Sequence, residues 1–254
     1  MPDPVPHPHY FAFSRVSKSF ERPVLVDCSF HLEEGATLAI IGRSGAGKSV
    51  TLSHLMGFLK PDQGRVVVAH EDITGYQESE LNRIRKKVTM VFQSGALFDS
   101  LTVGENVAFP LENRSHYSRG KVQEVVARLL EMVGIGAYVH ALPSQLPTGL
   151  KRAVAIARAL AAEPEAILYD EPTTMVDPPM SEDIAELIRK LKERLRLTSV
   201  VVTHDLHLMR QVADKVVVLH DANVIFFGPV VELERAEHPH IREFLALDRF
   251  QPVS

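Results

Sequence analysis

Apolar residues fall along this chain in short continuous runs set between turn residues, and in its middle third their spacing becomes helical. Ala36, Leu38, Ala39, Ile40 and Ile41 form one run and Val88 to Phe92 a second; AILYDE, TSVVVTHD, KVVVLHD and NVIFFG follow in the last third. Runs apolar on consecutive positions predict strands covered on both faces. Ahead of them, FAFSRVSKSF and PVLVDCSFHLEEG, between Tyr10 and Gly35, alternate partially and predict antiparallel strands against the core. Lys60 to Gly64 reads as a turn and RVVVAHEDI as one short strand. Between Ser100 and Gln145, Val122, Val125, Val126, Leu129, Leu130 and Val133 recur at helical spacing as one apolar stripe. Ile184, Leu187, Ile188 and Leu191 mark another helix between two of the later strands. Strands and helices alternating over short links predict an α/β fold with a mainly parallel core sheet. An N-terminal antiparallel β subdomain and a helical subdomain inserted at about 100–160 complete it. The expected organisation is a flexible, proline-rich leader at 1–9, one domain at 10–235 and a C-terminal helical tail at 236–254.

A chain of 254 residues with 45% hydrophobic and 24% charged residues suits one large domain with a sizeable core. Its formal net charge of -4 leaves no global basic field, so no nucleic-acid partner is expected. The cluster Arg83, Arg85, Lys86 and Lys87 reads as a solvated face. The single cysteine, Cys28, fits a reducing compartment. The four-proline opening is no secretory signal, and the best membrane candidate, AVAIARALAA, is broken by Arg158 and is shorter than the about 18 to 20 residues a span needs. If the chain serves transport, another chain must cross the membrane.

Chemistry is concentrated where strands end. After the run closing at Ile41, Gly42, Arg43, Ser44, Gly45, Ala46, Gly47, Lys48, Ser49 and Val50 spell a phosphate-binding loop opening a helix. Glycines let successive N–H groups turn toward a phosphate, and the helix N-terminus adds partial positive charge. Lys48 is the residue to hold β- and γ-phosphates, and Ser49 the one to place its hydroxyl on Mg²⁺. Asp170 and Glu171 leave the AILY run together, at the strand end where open α/β sheets bind ligands. Asp170 suits the metal and its waters, Glu171 an attacking water. His204 and Gln93 also end apolar runs, so each is a candidate to contact the γ-phosphate region, Gln93 with the metal as well. For Phe20, pattern alone favours a core aromatic.

In this order GRSGAGKS, Gln93, LPTGLKRAVAIARAL, ILYDEP, TTMVDP and VVTHD resemble the motifs of an ATP-binding cassette (ABC) ATPase across nearly the whole chain. The resemblance implies a P-loop NTPase binding ATP and Mg²⁺, with Phe20 at the adenine-stacking position and Asp177 in a dimer-facing loop. It also implies a second ATPase subunit, ATP being sandwiched between the loop of one and the signature helix of the other. The signature departs from the family pattern: Leu146, Pro147, Thr148, Gly149 and Leu150 stand for LSGGQ. Pro147 has no hydroxyl or N–H to give a phosphate, and Thr148 puts a side chain where glycine allows close approach. Thr148 and Gly149 remain as donors, so reduced rather than absent function is expected. A homodimer is favoured over a heterodimer, because the other motifs are intact.

One branch is matched closely. VFQSGALFDSLTVGENVAFPLEN, Val91 to Asn113, resembles the ATPases of bacterial Mce/Mla-type phospholipid transport systems, and the tail HPHIREFL is similar as well. That resemblance implies an integral-membrane permease, a substrate-binding Mce-type subunit and a small regulatory subunit as partners. It places the chain in the cytoplasm, peripheral on the inner face of the inner membrane. Another ABC transport system, a soluble ABC remodelling ATPase, a small P-loop kinase and a degenerate nucleotide-binding regulator are the alternatives. His7, His9, His238 and His240 read as loop histidines.

Overall fold

The computed structural model describes residues 7–112 and 117–248, so most of the leader and the last part of the tail lie outside the described residues. The elements run β1 (Phe11–Ser19), β2 (Pro23–Leu32), β3 (Thr37–Ile41), α1 (Lys48–Leu55), β4 (Gln63–Val68), β5 (Glu71–Asp72), α2 (Glu78–Arg85) and β6 (Val88–Val91). Then come α3 (Val103–Glu112), α4 (Arg119–Met132), α5 (Thr148–Ala161), β7 (Ala166–Asp170), α6 (Pro178–Leu195), β8 (Thr198–Thr203) and α7 (Leu206–Val212). β9 (Lys215–His220), β10 (Asn223–Pro229), α8 (Val230–Leu233) and α9 (Pro239–Asp248) close the described chain.

Two sheets result. One is antiparallel, β2-β1-β4-β5; the other runs β10-β9-β3-β8-β7-β6 and is parallel except at β10. β3 and β8 are buried along their whole length, which is why their sequences show no alternation. Consecutive side chains nevertheless enter different cores. Ile40, Leu168, Val200 and Val202 pack with Leu52 and Leu55 of α1 and with Phe11, Phe13 and Val66 of the antiparallel sheet. Ile167, Tyr169 and Val201 face the other way, toward α5, α6 and the helical region. Val125, Val126, Leu129 and Leu130 of α4 are buried in that same second core. Ala39 and Ile41 pack against α7 and, through Ile241 and Leu245, against α9.

Two expectations are corrected. RVVVAHEDI is a hairpin, not one strand: Ala69 and His70 both take positive φ (51° and 65°), the two-residue turn that pairs Val68 with Glu71. NVIFFG is not covered on both faces, because β10 is an antiparallel edge strand with half-exposed side chains. It is reached through the same kind of turn at Asp221 and Ala222 (44° and 66°). The basic cluster is partly paired, Arg83 to Glu71 and Arg85 to Glu78. Cys28 is fully buried; its thiol lies 3.4 Å from the carbonyl of Ala222, where β2 meets the β9–β10 turn, and burial raises its pKa. Among the described residues no helix is long and apolar enough to cross a membrane.

Candidate nucleotide site

The loop between β3 and α1 lies at the C-terminal end of the parallel sheet. Gly47 caps α1 with φ 103°, and a Cβ there would stand 2.7 Å from the Val24 carbonyl oxygen, so both conformation and space demand glycine. No side chain caps α1, which leaves its first N–H groups for a ligand. Ala46 is buried, while Arg43, Ser44, Gly45 and Ser49 are exposed and Val50 is half-buried. Lys48 is buried; its Nζ donates to the Gly42 carbonyl at 2.8 Å and lies 3.5 Å from Glu171 Oε1.

Parallel pairing of β7 with β8 sets Asp170 opposite Val202, so the residues following the two strands meet. Glu171 takes a left-handed φ of 48° and donates its N–H to the Val202 carbonyl at 2.9 Å. Its Oε2 accepts the Thr174 hydroxyl at 3.2 Å and lies 2.8 Å from His204 Nδ1. One carboxylate thus bridges Lys48 and His204, and a positive φ on a non-glycine is the kind of strain found at functional sites. Asp170 Oδ1 is buried with no hydrogen-bond partner, and burial, reinforced by Glu171, raises this carboxyl above the usual carboxylate range. A divalent cation would satisfy that oxygen and return the group to its charged form, so the unpartnered Asp170 oxygen suits Mg²⁺.

The other expected residues sit on other elements. Gln93 follows β6 and is exposed. Phe20, in the β1–β2 turn, is 58% exposed, with Lys18 Nζ 5.6 Å from its ring centre, so the core reading of this aromatic is overturned. Thr148 and Gly149 open α5 behind Pro147, which supplies no side-chain cap. A Cβ on Gly149 would collide with Met180 Cγ at 1.8 Å, so this glycine is also needed for close packing of α5 on α6. Asp177 caps α6, accepting the Met180 N–H at 3.1 Å. Among the described residues no hydrogen bond or ion pair joins Phe20, Thr148 or Gly149 to the phosphate loop. A concavity of about 1560 Å³ lies elsewhere, on the antiparallel sheet between Arg15, Asp27 and Arg65.

Three residues escaped the sequence reading. Arg152 of α5, 4% exposed, donates to the Phe92 carbonyl beside Gln93 at 3.0 Å. Arg158 donates to the carbonyls of Ala96 (2.8 Å) and Gly95 (3.0 Å), tying the same helix to the loop after Gln93. Asn106, fully buried, accepts the Phe98 N–H at 2.9 Å and turns its amide toward the carbonyls of Phe98, Leu101 and Thr102. The only sequence signal for the arginines was charge interrupting an apolar helix.

A family model described as ABC transporter matches residues 25–174, from within β2 past the Asp170–Glu171 pair. The chain belongs to the ABC transporter family. This ABC ATPase domain is 42% identical over 221 residues to "Methionine import ATP-binding protein MetN 2" of Rhodococcus jostii, covering 87% of the chain but 64% of that protein. It is 35% identical over 236 residues to "Intermembrane phospholipid transport system ATP-binding protein MlaF" of Haemophilus influenzae, covering 93% of the chain and 89% of that protein. Among solved structures, the dimeric ATP-binding cassette MJ0796 bound to ADP and Pi superposes with a TM-score of 0.78 at 32% identity, over 87% of this chain and 98% of that one. CbiO1 from Clostridium perfringens, part of the transporter complex cbiONQ, gives 0.84 at 26% identity, over 96% and 97%.

Proposed function

We propose that this chain is the ATP-hydrolysing subunit of a bacterial phospholipid transporter, working as a homodimer on the inner face of the inner membrane beneath a permease. In this reading residues 10–235 are the cassette, with the helical insertion at about 100–160. Lys48 and the N–H groups of residues 42–50 hold the phosphates, Phe20 stacks on the base, and Ser49, Gln93 and Asp170 hold Mg²⁺, which supplies charge neutralisation at the β- and γ-phosphates. Glu171 is positioned to take the proton of the attacking water, and His204, 2.8 Å away, orients that carboxylate. Thr148 and Gly149 serve the partner's nucleotide, and Pro147 makes that contribution weak.

The observation that carries the lipid reading is the segment from Gln93 to Leu111. Phe98, on a loop pinned by Asn106 and Arg158, and Phe109, on α3, stand 4.7 Å apart and are each about two-fifths exposed. Such an exposed aromatic pair on a rigid support suits a permease contact. Its sequence resembles that of the Mce/Mla-type ATPases, and a relative named for intermembrane phospholipid transport supports the assignment. Methionine import is the second reading, favoured by the 42% identity to a protein of that name. Isolating the chain from its native membrane with its permease, identifying copurifying chains, and measuring hydrolysis in proteoliposomes separates the two. Phospholipid-dependent turnover alongside an Mce-type subunit is expected. Turnover that answers to methionine and a soluble binding protein would replace the lipid reading.

A further inference from the structure

Away from the nucleotide site, the start of the antiparallel sheet gathers three side chains of metal-ligating type. The β1–β2 register sets Phe11 opposite Leu32 and Ala12 opposite His31. It thereby brings His9, two residues ahead of β1, beside His31 and Glu33. One ligand atom from each of the three lies within 4.8 Å of the others. His31 Nε2 is 3.6 Å and His9 Nδ1 4.0 Å from the same oxygen, Glu33 Oε1. The two imidazoles stack with centres 4.0 Å apart and planes 21° from parallel. His9 Nδ1 is buried and has no hydrogen-bond partner, which a polar atom tolerates only at a cost.

We infer that His9, His31 and Glu33 form a binding site for a zinc-class transition-metal dication. Two imidazole nitrogens and a carboxylate oxygen are a zinc donor set, whereas magnesium and calcium select oxygen alone. Ligand atoms on a tetrahedral zinc lie about 3.3 Å apart, so the observed separations close by side-chain rotation. Burial, with His9 and Lys215 nearby, holds the pKa of His31 below its usual value. Lys215 is the competitor: its ammonium contacts both oxygens of Glu33, at 2.7 and 2.8 Å. Metal binding hands Oε1 to the cation and leaves Oε2 on Lys215. The remaining position falls to water or to His7, whose ring centre is 5.5 Å from that of His9. Since Lys215 begins β9, the filled site fastens the residues ahead of β1 to both sheets at once.

The test uses the full nucleotide-free chain and zinc chloride in competition with a chromophoric chelator, followed by cobalt as a spectroscopic substitute. One equivalent should bind with micromolar affinity or better. His9→Ala and His31→Ala should each weaken it about tenfold or more and abolish the tetrahedral cobalt spectrum, while His238→Ala with His240→Ala leaves both intact. Binding that ignores His9→Ala and His31→Ala, or no equivalent at micromolar zinc, overturns the site. Should the variants fail to fold, chemical modification of histidines in the unaltered chain decides. Zinc must protect His9 and His31 more than His238 and His240, and equal protection overturns the site as well.

Discussion

Asn106 is the polar hub of the loop that carries Phe98, and replacing it with alanine tests how that loop is held. Four backbone groups face its amide, but two have other partners: the Phe98 carbonyl accepts from the Leu101 N–H at 3.1 Å, and the Thr102 carbonyl from the Asn106 N–H at 2.9 Å. The Phe98 N–H and the Leu101 carbonyl are therefore the groups that Asn106→Ala orphans. A buried unsatisfied group costs roughly 1–3 kcal/mol, so the expected loss is about 3 kcal/mol. At about 2–4 °C per kcal/mol for a chain of this size, the melting temperature should fall by about 6–12 °C. Asn106→Asp should do no better, because it keeps the acceptor for Phe98 but turns a second oxygen on the carbonyls and buries a charge. Scanning calorimetry reads both shifts, and hydrogen exchange at the Phe98 amide localises them. A fall under about 3 °C for alanine, or an aspartate variant as stable as the parent, refutes this account of the loop.

Glu171→Gln should lower ATP turnover by about 10²–10⁴-fold while nucleotide binding persists; phosphate release within tenfold of the parent would remove Glu171 from the role of base. Pro147→Ser gives α5 the side-chain cap it lacks, so a gain of about 1 kcal/mol and a rise of about 2–4 °C in melting temperature are expected. No rise would mean that the first turn of α5 gains nothing from a cap. His54 is fully buried on α1, its Nδ1 2.7 Å from the Val50 carbonyl, and burial depresses its pKa below 6.5. The unfolded chain therefore takes up a proton that the folded chain refuses as pH falls from about 6.5 to the depressed value, and stability drops across that window. Urea titrations should show a shallower pH slope for His54→Met, with the residual slope coming in part from His31, and an unchanged slope would count against burial of a neutral imidazole.

The nucleotide site was legible because its chemistry is contiguous: the glycines with Lys48 and Ser49, and Asp170 with Glu171, are adjacent in sequence and follow visible strands. The meeting of Glu171 with His204 was legible in part, since both follow apolar runs, but contact needed β7 and β8 to be neighbours. Arg152, Arg158 and Asn106 were not legible as anchors, because their partners are backbone carbonyls and N–H groups, which leave no mark on residue type. The two hairpins at Ala69–His70 and Asp221–Ala222 were missed for a related reason. Their turns need two left-handed residues, and neither contains the glycine that advertises one. The meeting of His9 with His31 depended on strand register, which partial alternation does not fix.

Cys28 gives this chain an internal clock. With the thiol fully enclosed and its pKa raised, an alkylating reagent gains access only when the elements packed around Cys28 separate. In excess reagent, the rate of mass gain on the unaltered protein therefore counts those separations, without a label being built in. The same silence in the closed state leaves any cysteine introduced at the surface as the sole fast-reacting handle, so fluorophores can be placed without first removing the native thiol.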